Sequence, residues 1–122
     1  MTRILYIDDE DDIREVAQMS LELDPAFEVR GCASGPEGIA EAEAWRPDLI
    51  LLDVMMPGMD GPTTFARLRE RPETAGIPVV FITARTQAHE VEGFRELGAR
   101  GVLAKPFDPM TLAEEVRALL DG

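Results

Sequence analysis

The sequence predicts an α/β protein, a doubly wound five-stranded parallel sheet of (βα)5 organisation. Three observations predict it. Five short strand-like segments, four of them apolar runs and one alternating, interleave along the chain with five capped or helix-periodic segments, and strict alternation of this kind gives a parallel sheet covered on both faces. Two of the runs, Leu49-Ile50-Leu51-Leu52 and Pro78-Val79-Val80-Phe81-Ile82-Thr83, are almost uninterrupted, as strands buried on both faces require. The 122 residues suffice for one domain with a sizeable core and leave no room for a second, so residues 1–122 are expected to form a single unit.

Each element has its own local reason. Ile4 to Ile7 is an apolar run bounded by charge and reads as the first strand. Asp11 to Leu23 has helical period, with Ile13, Val16, Ala17, Ser20 and Leu21 on one face, and Asp24-Pro25 ends it. Phe27 and Val29 alternate with Glu28 and Arg30, the pattern of a strand near a sheet edge. Ser34-Gly35-Pro36-Glu37 is a capping box with proline in the first turn, predicting a helix to Trp45 that breaks at Arg46-Pro47. The run from Leu49 is the third strand. Met56 to Gly61 is a loop, and Asp60 caps a helix through Leu68. Pro78 opens the fourth strand. Thr86 is expected to cap the next helix, with Val91, Phe94 and Leu97 facing inward and Gly98 ending it. Val102-Leu103-Ala104 is the last strand. Asp108-Pro109 is expected to cap the last helix, whose apolar face is Leu112, Val116, Leu119 and Leu120.

Composition excludes several classes. With 45% apolar and 30% charged residues the chain is an ordinary globular sequence, not a linker or a disordered tail. One cysteine, Cys32, rules out an intrachain disulfide, and with one histidine, His89, it rules out a Cys/His zinc site. No signal-like stretch follows Met1 and no run could span a membrane, so a reducing cytoplasm is the expected location. Twelve Lys and Arg against twenty-four Asp and Glu give a net charge of −12, which repels nucleic acid and anionic lipid and leaves cations and basic protein surfaces as partners.

The chemistry-bearing residues fall at strand ends. The first strand runs into Asp8-Asp9-Glu10, the third into Asp53, the fourth into Thr83 and the fifth into Lys105. In open parallel sheets, sites form outside the carboxyl ends of the strands at the topological switch point. Carboxylates clustered there and ionised together need a cation, and an all-oxygen set suits Mg²⁺. A carboxylate can attack phosphorus to give an acyl phosphate, while a lysine and a hydroxyl hold the remaining phosphoryl oxygens. The constellation reads as a carboxylate that accepts a phosphoryl group beside Mg²⁺. Taken singly, each residue has a plainer account: Asp8 and Asp9 as acids at a helix start, Asp53 as a strand terminator, Thr83 as a β-former, Lys105 as a solvated lysine.

Taken together, the segments Ile4 to Glu10, Pro47 to Gly61, Ile82-Thr83-Ala84 and Lys105-Pro106-Phe107 resemble the receiver domain of two-component response regulators over about Ile4 to Leu120. The resemblance implies a flavodoxin-like sheet of strand order 2-1-3-4-5. It implies Asp53 as phosphoacceptor, and Mg²⁺ held by Asp9, Asp53 and the Met55 backbone carbonyl, with Asp8 acting through a bound water. It further implies that Thr83 hydrogen-bonds the phosphoryl oxygens, that Lys105 pairs first with the carboxylate and then with the phosphoryl group, and that the Lys105–Pro106 bond is cis. The implied donor is a sensor histidine kinase or histidine phosphotransfer protein, and the implied output is a protein target reached by conformational switching, not catalytic turnover. The outer face of the first helix (Asp12, Glu15, Met19, Glu22) and the loop after Asp53 form the expected docking side.

Rival families fit less well. A calcium loop starting at Asp8 would need glycine where Ile13 stands. A flavin phosphate loop would not be built from Asp8 to Asp12. A haloacid-dehalogenase-type phosphatase would carry an acid/base Asp where Met55 stands.

The sequence also departs from many receivers. Val102 occupies the position, third before Lys105, where an aromatic commonly swings inward, so weak or altered output is expected; a phosphate sink or shuttle, or a module cut from a longer regulator or hybrid kinase, are the alternative readings. Met55 and Arg85 are the residues expected to tune hydrolysis, and neither suits the orienting of a water, so slow self-dephosphorylation is expected.

Overall fold

The computed structural model describes residues 1–121, so Gly122, the last residue of the expected domain, lies outside them. Five strands and five helices alternate: β1 (Thr2–Ile7), α1 (Asp11–Leu21), β2 (Phe27–Cys32), α2 (Gly35–Trp45), β3 (Leu49–Asp53), α3 (Gly61–Arg69), β4 (Val79–Thr83), α4 (Ala88–Glu96), β5 (Gly101–Ala104) and α5 (Leu112–Asp121). All strand pairs are parallel, in the order β2-β1-β3-β4-β5, the doubly wound arrangement expected. The chain leaves β1 for β2 on one side and then returns to β3 on the other, so the switch point is the crevice between the carboxyl ends of β1 and β3.

Strand parity divides the core between the two faces. Leu5, Ile7, Ile50, Leu52, Val79 and Phe81 pack with Ile39, Ala42, Trp45, Phe65 and Leu68 from α2 and α3. Ile4, Tyr6, Leu49, Leu51, Val80, Ile82 and Leu103 pack with Ala17, Leu21, Leu112 and Val116 from α1 and α5. Every residue of β3 and β4 is buried, which explains their continuous apolar sequence. Truncating one of these buried Leu or Ile side chains to Ala should cost about 2–5 kcal/mol.

The caps follow the sequence in two helices and depart from it elsewhere. Ser34 Oγ accepts from the Glu37 amide, but the Glu37 carboxylate reaches back to the Ala33 amide, one residue before the cap. Asp60 accepts from the Thr63 amide at 2.9 Å, as expected. Thr86 does not cap α4; Gln87 precedes the helix in extended backbone with no side-chain cap bond. Nor does α4 bury the expected stripe. Val91 and Phe94 are half-buried and Leu97 is exposed, because α4 lies over the β5 side of the sheet, touching the core through Phe94. On α1, Val16 is exposed while Ala17, Ser20 and Leu21 are buried. The last helix begins at Leu112, later than expected, since the Asp108 carboxylate and carbonyl are used to form a turn through Met110 and Thr111. The Lys105–Pro106 peptide bond is cis.

Candidate functional site

Parity carries three of the site residues to one place. Tyr6 and Asp8, Leu51 and Asp53, Leu103 and Lys105 are pairs two apart, so each polar side chain continues the α1/α5 face just past the apolar layer. Asp8, Asp9 and Asp53 come together there, each offering a carboxylate oxygen within 4.8 Å of the others. Asp8 and Asp53 are buried and Asp9 is half-buried, so two of the three carboxylates are cut off from bulk water.

Asp8 is held from three sides. Its Oδ2 accepts from the Tyr6 hydroxyl at 3.1 Å and from Lys105 Nζ at 3.0 Å, and its Oδ1 accepts from the Glu10 amide at 3.0 Å. Below it, burial first and then the Asp8 charge push the Tyr6 phenol upward, so Tyr6 stays a neutral donor. Behind it, the Arg14 guanidinium donates to the Asp8 carbonyl at 2.8 Å and to Asp11 at 2.6 Å, pinning the turn between β1 and α1.

Asp53 is less well served. Its Oδ1 lies 3.4 Å from Lys105 Nζ, and its Oδ2 is the one buried side-chain oxygen or nitrogen, among the described residues, without a hydrogen-bond partner. Burial first, then the Asp8 carboxylate, raise its pKa from 3.8 to about 6, against the pull of Lys105 and the Met55 amide. For Lys105, burial works downward, but the Asp8 hydrogen bond and the charges of Asp8, Asp53 and Glu10 outweigh it and hold the ammonium protonated. Two buried carboxylates against one ammonium leave negative charge in a desolvated crevice, and one Asp53 oxygen has no hydrogen-bond partner. An oxygen-only donor set of this kind fits a hard divalent cation such as Mg²⁺.

The remaining expected residues frame the crevice. Thr83 ends β4, buried, and its Oγ1 accepts from the Arg85 amide at 3.0 Å, which leaves the hydroxyl proton available for donation. The Arg85 side chain is exposed. Met55 is 72% exposed at the rim of a shallow cleft shared with Met56, Pro57 and Asp60. Gly61, at the start of α3, lies so close to β3 that an added Cβ would fall 2.5 Å from the Asp53 carbonyl oxygen. Val102 is half-buried against the same apolar cluster as Phe94, outside the crevice. His89 is exposed. Cys32 is buried, its thiol pushed up to about 11 by burial and by Glu41 and Glu37.

Sequence reasoning missed three contributors. The sequence pattern singles out neither Tyr6 nor Arg14, and Glu10 stands in it only as one more acid after the first strand. Only the spacing Tyr6-x-Asp8 on one strand face carried a signal.

The docking side expected on α1 carries an apolar streak. Val16 and Met19 are exposed there, Leu23 is exposed just past the end of α1, and Met110 lies beside them in the turn before α5. Among the described residues, no helix is long and apolar enough to cross a membrane.

Comparison with known proteins places this geometry in context. The family model "Response regulator receiver domain" matches residues 4–117. The chain is 39% identical over 119 residues to the transcriptional regulatory protein CseB of Streptomyces coelicolor, covering 98% of this chain and 49% of that one. It is 33% identical over 123 residues to the protein PilH of Pseudomonas aeruginosa, covering all of both. It thus spans about half the length of CseB and the full length of PilH. Among solved structures, the chemotaxis response regulator CheY4 of Vibrio cholerae superposes with a TM-score of 0.88 at 32% identity, over 98% of each chain. A match over nearly the whole chain, in sequence and in fold, shows that it belongs to the response regulator receiver domain family.

Proposed function

We propose that the chain is a phosphorylation switch in a two-component system or phosphorelay, with Asp53 as the acceptor and residues 1–122 as the receiver unit. The observation that carries the reading is the orphaned, buried Oδ2 of Asp53, a residue of the Asp8, Asp9 and Asp53 cluster. A carboxylate oxygen without a donor is free to act as a nucleophile. In the proposed step it attacks the phosphorus of a phosphohistidine, the oxygen–phosphorus bond forms, and the phosphorus–nitrogen bond breaks as imidazole leaves. Lys105 turns from the carboxylates to the transferred group, and Thr83 donates its hydroxyl proton to a phosphoryl oxygen. Asp8, Asp9, Asp53 and the Met55 carbonyl would hold Mg²⁺, which when bound supplies the charge neutralisation that an anionic acceptor and donor need. With no acid/base carboxylate at position 55, the phosphorylated form persists instead of turning over, so the chain acts as a switch, not a hydrolase.

The donor would be a sensor histidine kinase or a histidine phosphotransfer protein. Docking on α1 is supported by the apolar streak of Val16, Met19 and Leu23, flanked by the acids Asp12, Glu15 and Glu22. Charge reversal at Glu15 should slow transfer from a basic-faced donor; an unchanged rate refutes that docking side. Movement of Thr83 would shift the balance of two arrangements of the loops after β4 and β5, the route to a downstream protein. A relay role without conformational output is the second reading, favoured by Val102.

Intact mass after incubation with a small phosphodonor and Mg²⁺ tests the proposal. One added phosphoryl group, lost in Asp53→Asn and in chelator, is expected. A folded wild type that gains no mass refutes it.

A further inference from the structure

We propose that Glu10 is a positioning residue for Lys105, receiving the ammonium when a divalent cation takes the carboxylates beneath it. The inference rests on the reading of Asp8, Asp9 and Asp53 as the cation's ligands. Lys105 Nζ touches three carboxylates: Asp8 at 3.0 Å, Asp53 at 3.4 Å and Glu10 at 3.4 Å. Two of them, Asp8 and Asp53, belong to the cluster whose oxygens converge within 4.8 Å; Glu10 does not. A cation drawn to that cluster competes with the ammonium for Asp8 and Asp53 and then repels it. Without a third partner, Lys105 would be left beside a dication in a crevice where only 15% of its side chain meets solvent.

Glu10 is built to be that partner. It stands at the mouth, with 58% of its side chain exposed, whereas the Asp8 side chain is wholly buried. Its own amide is tied to Asp8 Oδ1 at 3.0 Å, so its backbone is fixed relative to the pocket. It precedes α1 in extended backbone yet makes no side-chain cap bond, which leaves the carboxylate free for Lys105. The ammonium can therefore slide outward from Asp8 to Glu10 without losing its charge or its ion pairing. By holding the lysine outward, Glu10 favours cation entry and keeps Lys105 within reach of the group that later arrives at Asp53.

Calorimetric titration of the full chain with Mg²⁺ tests this without any phosphotransfer. Glu10→Gln should weaken Mg²⁺ binding by about tenfold, the scale of lost outer-sphere support at metal sites. Glu114→Gln, which removes one exposed charge from α5, is the control and should change little. The decisive measurement is the double-mutant cycle with Lys105→Met, or Lys105→Gln if the methionine variant does not fold. With Lys105 absent, Glu10→Gln should have no more effect than the control. An equal loss in both backgrounds would show that Glu10 acts only as a nearby negative charge and overturns the proposal. A wild type that binds no Mg²⁺ overturns both this inference and the reading of the site, whereas a flat cycle overturns this inference alone.

Discussion

Lys105 Nζ stands closer to Asp8, at 3.0 Å, than to Asp53, at 3.4 Å, so the ammonium is committed first to the deeper carboxylate. Removing it leaves two buried carboxylates with no counter-charge. Lys105→Met should therefore destabilise the metal-free protein by about 3 kcal/mol, as when one partner of a buried pair is lost. Mg²⁺ then meets no competitor and should bind this variant more tightly than wild type. Urea denaturation in chelator and in saturating Mg²⁺ checks the point: the stability gap should narrow with the metal, and an unchanged gap contradicts the competition.

The raised Asp53 pKa makes stability depend on pH. Between 3.8 and about 6 the folded chain holds a proton that the unfolded chain has released. The stabilisation this gives is complete below 3.8 and is lost as pH rises through about 6. At neutral pH the ionised side chain thus costs up to roughly 3 kcal/mol, given its burial. Asp53→Asn should melt higher than wild type at pH 7.5 in chelator, and the two should converge near pH 4. A gain of equal size at both pH values would assign the effect to packing instead.

Much of this arrangement is written locally in the chain, and the unreadable parts share a physical cause. The β3 and β4 runs announce burial on both faces, Ser34 and Asp60 announce their helices, and Asp8, Asp53 and Lys105 follow from strand ends and parity. What failed was α4. None of its residues is fully buried, and Val91 and Phe94 are half-buried, so its apolar period overstated burial, and the Thr86 hydroxyl found no amide to cap. The role of Glu10 depends on a distance set by tertiary structure, since Glu10 and Lys105 are 95 residues apart; the contacts of Tyr6 and Arg14 with Asp8 span only 2 and 6 residues, but they need the turn after β1, whose shape the apolar pattern does not announce.

Gly61 is where the site leans on backbone proximity. An added Cβ would meet the Asp53 carbonyl oxygen at 2.5 Å and the Val54 Cα at 2.8 Å, and neither atom can rotate away. Gly61→Ala should push α3 off β3, with a loss of about 2 kcal/mol. The displaced Asp53 should also phosphorylate more slowly with a small donor. A variant as stable as wild type in urea would show that the helix start yields without strain.

Hydrolysis of the proposed acyl phosphate depends on what stands at the mouth of the crevice. Met55 is exposed there and offers no hydrogen bond to a water, and the long Arg85 side chain is exposed beyond Thr83. Wild type should lose its phosphoryl group slowly. Met55→Asn supplies a group that can orient water and should shorten the lifetime several-fold; Arg85→Glu should change it as well. Lifetimes that are unchanged in both variants, read by the decay of the phosphorylated mass, contradict the assignment.

Under the proposed function, output would depend on how movement of Thr83 travels along β4 and β5. Phe81 lies opposite Val102 in the strand register, and the Phe81 and Phe94 rings sit 4.8 Å apart. Phe94 is thus the contact that ties α4 to the sheet, while Val102, branched and aliphatic, has no ring to swing into space vacated by Thr83. A change at Thr83 should reach α4 only as a small adjustment of the Phe81–Phe94 contact. Amide shifts between the metal-bound protein and its beryllofluoride form should concentrate around residues 53–61 and 83–86 and stay small over 88–104. Val102→Tyr, which restores a movable ring, should enlarge the shifts over 88–104. Large wild-type shifts there would mean that the α4 face switches by another route, and the relay reading would lose its support.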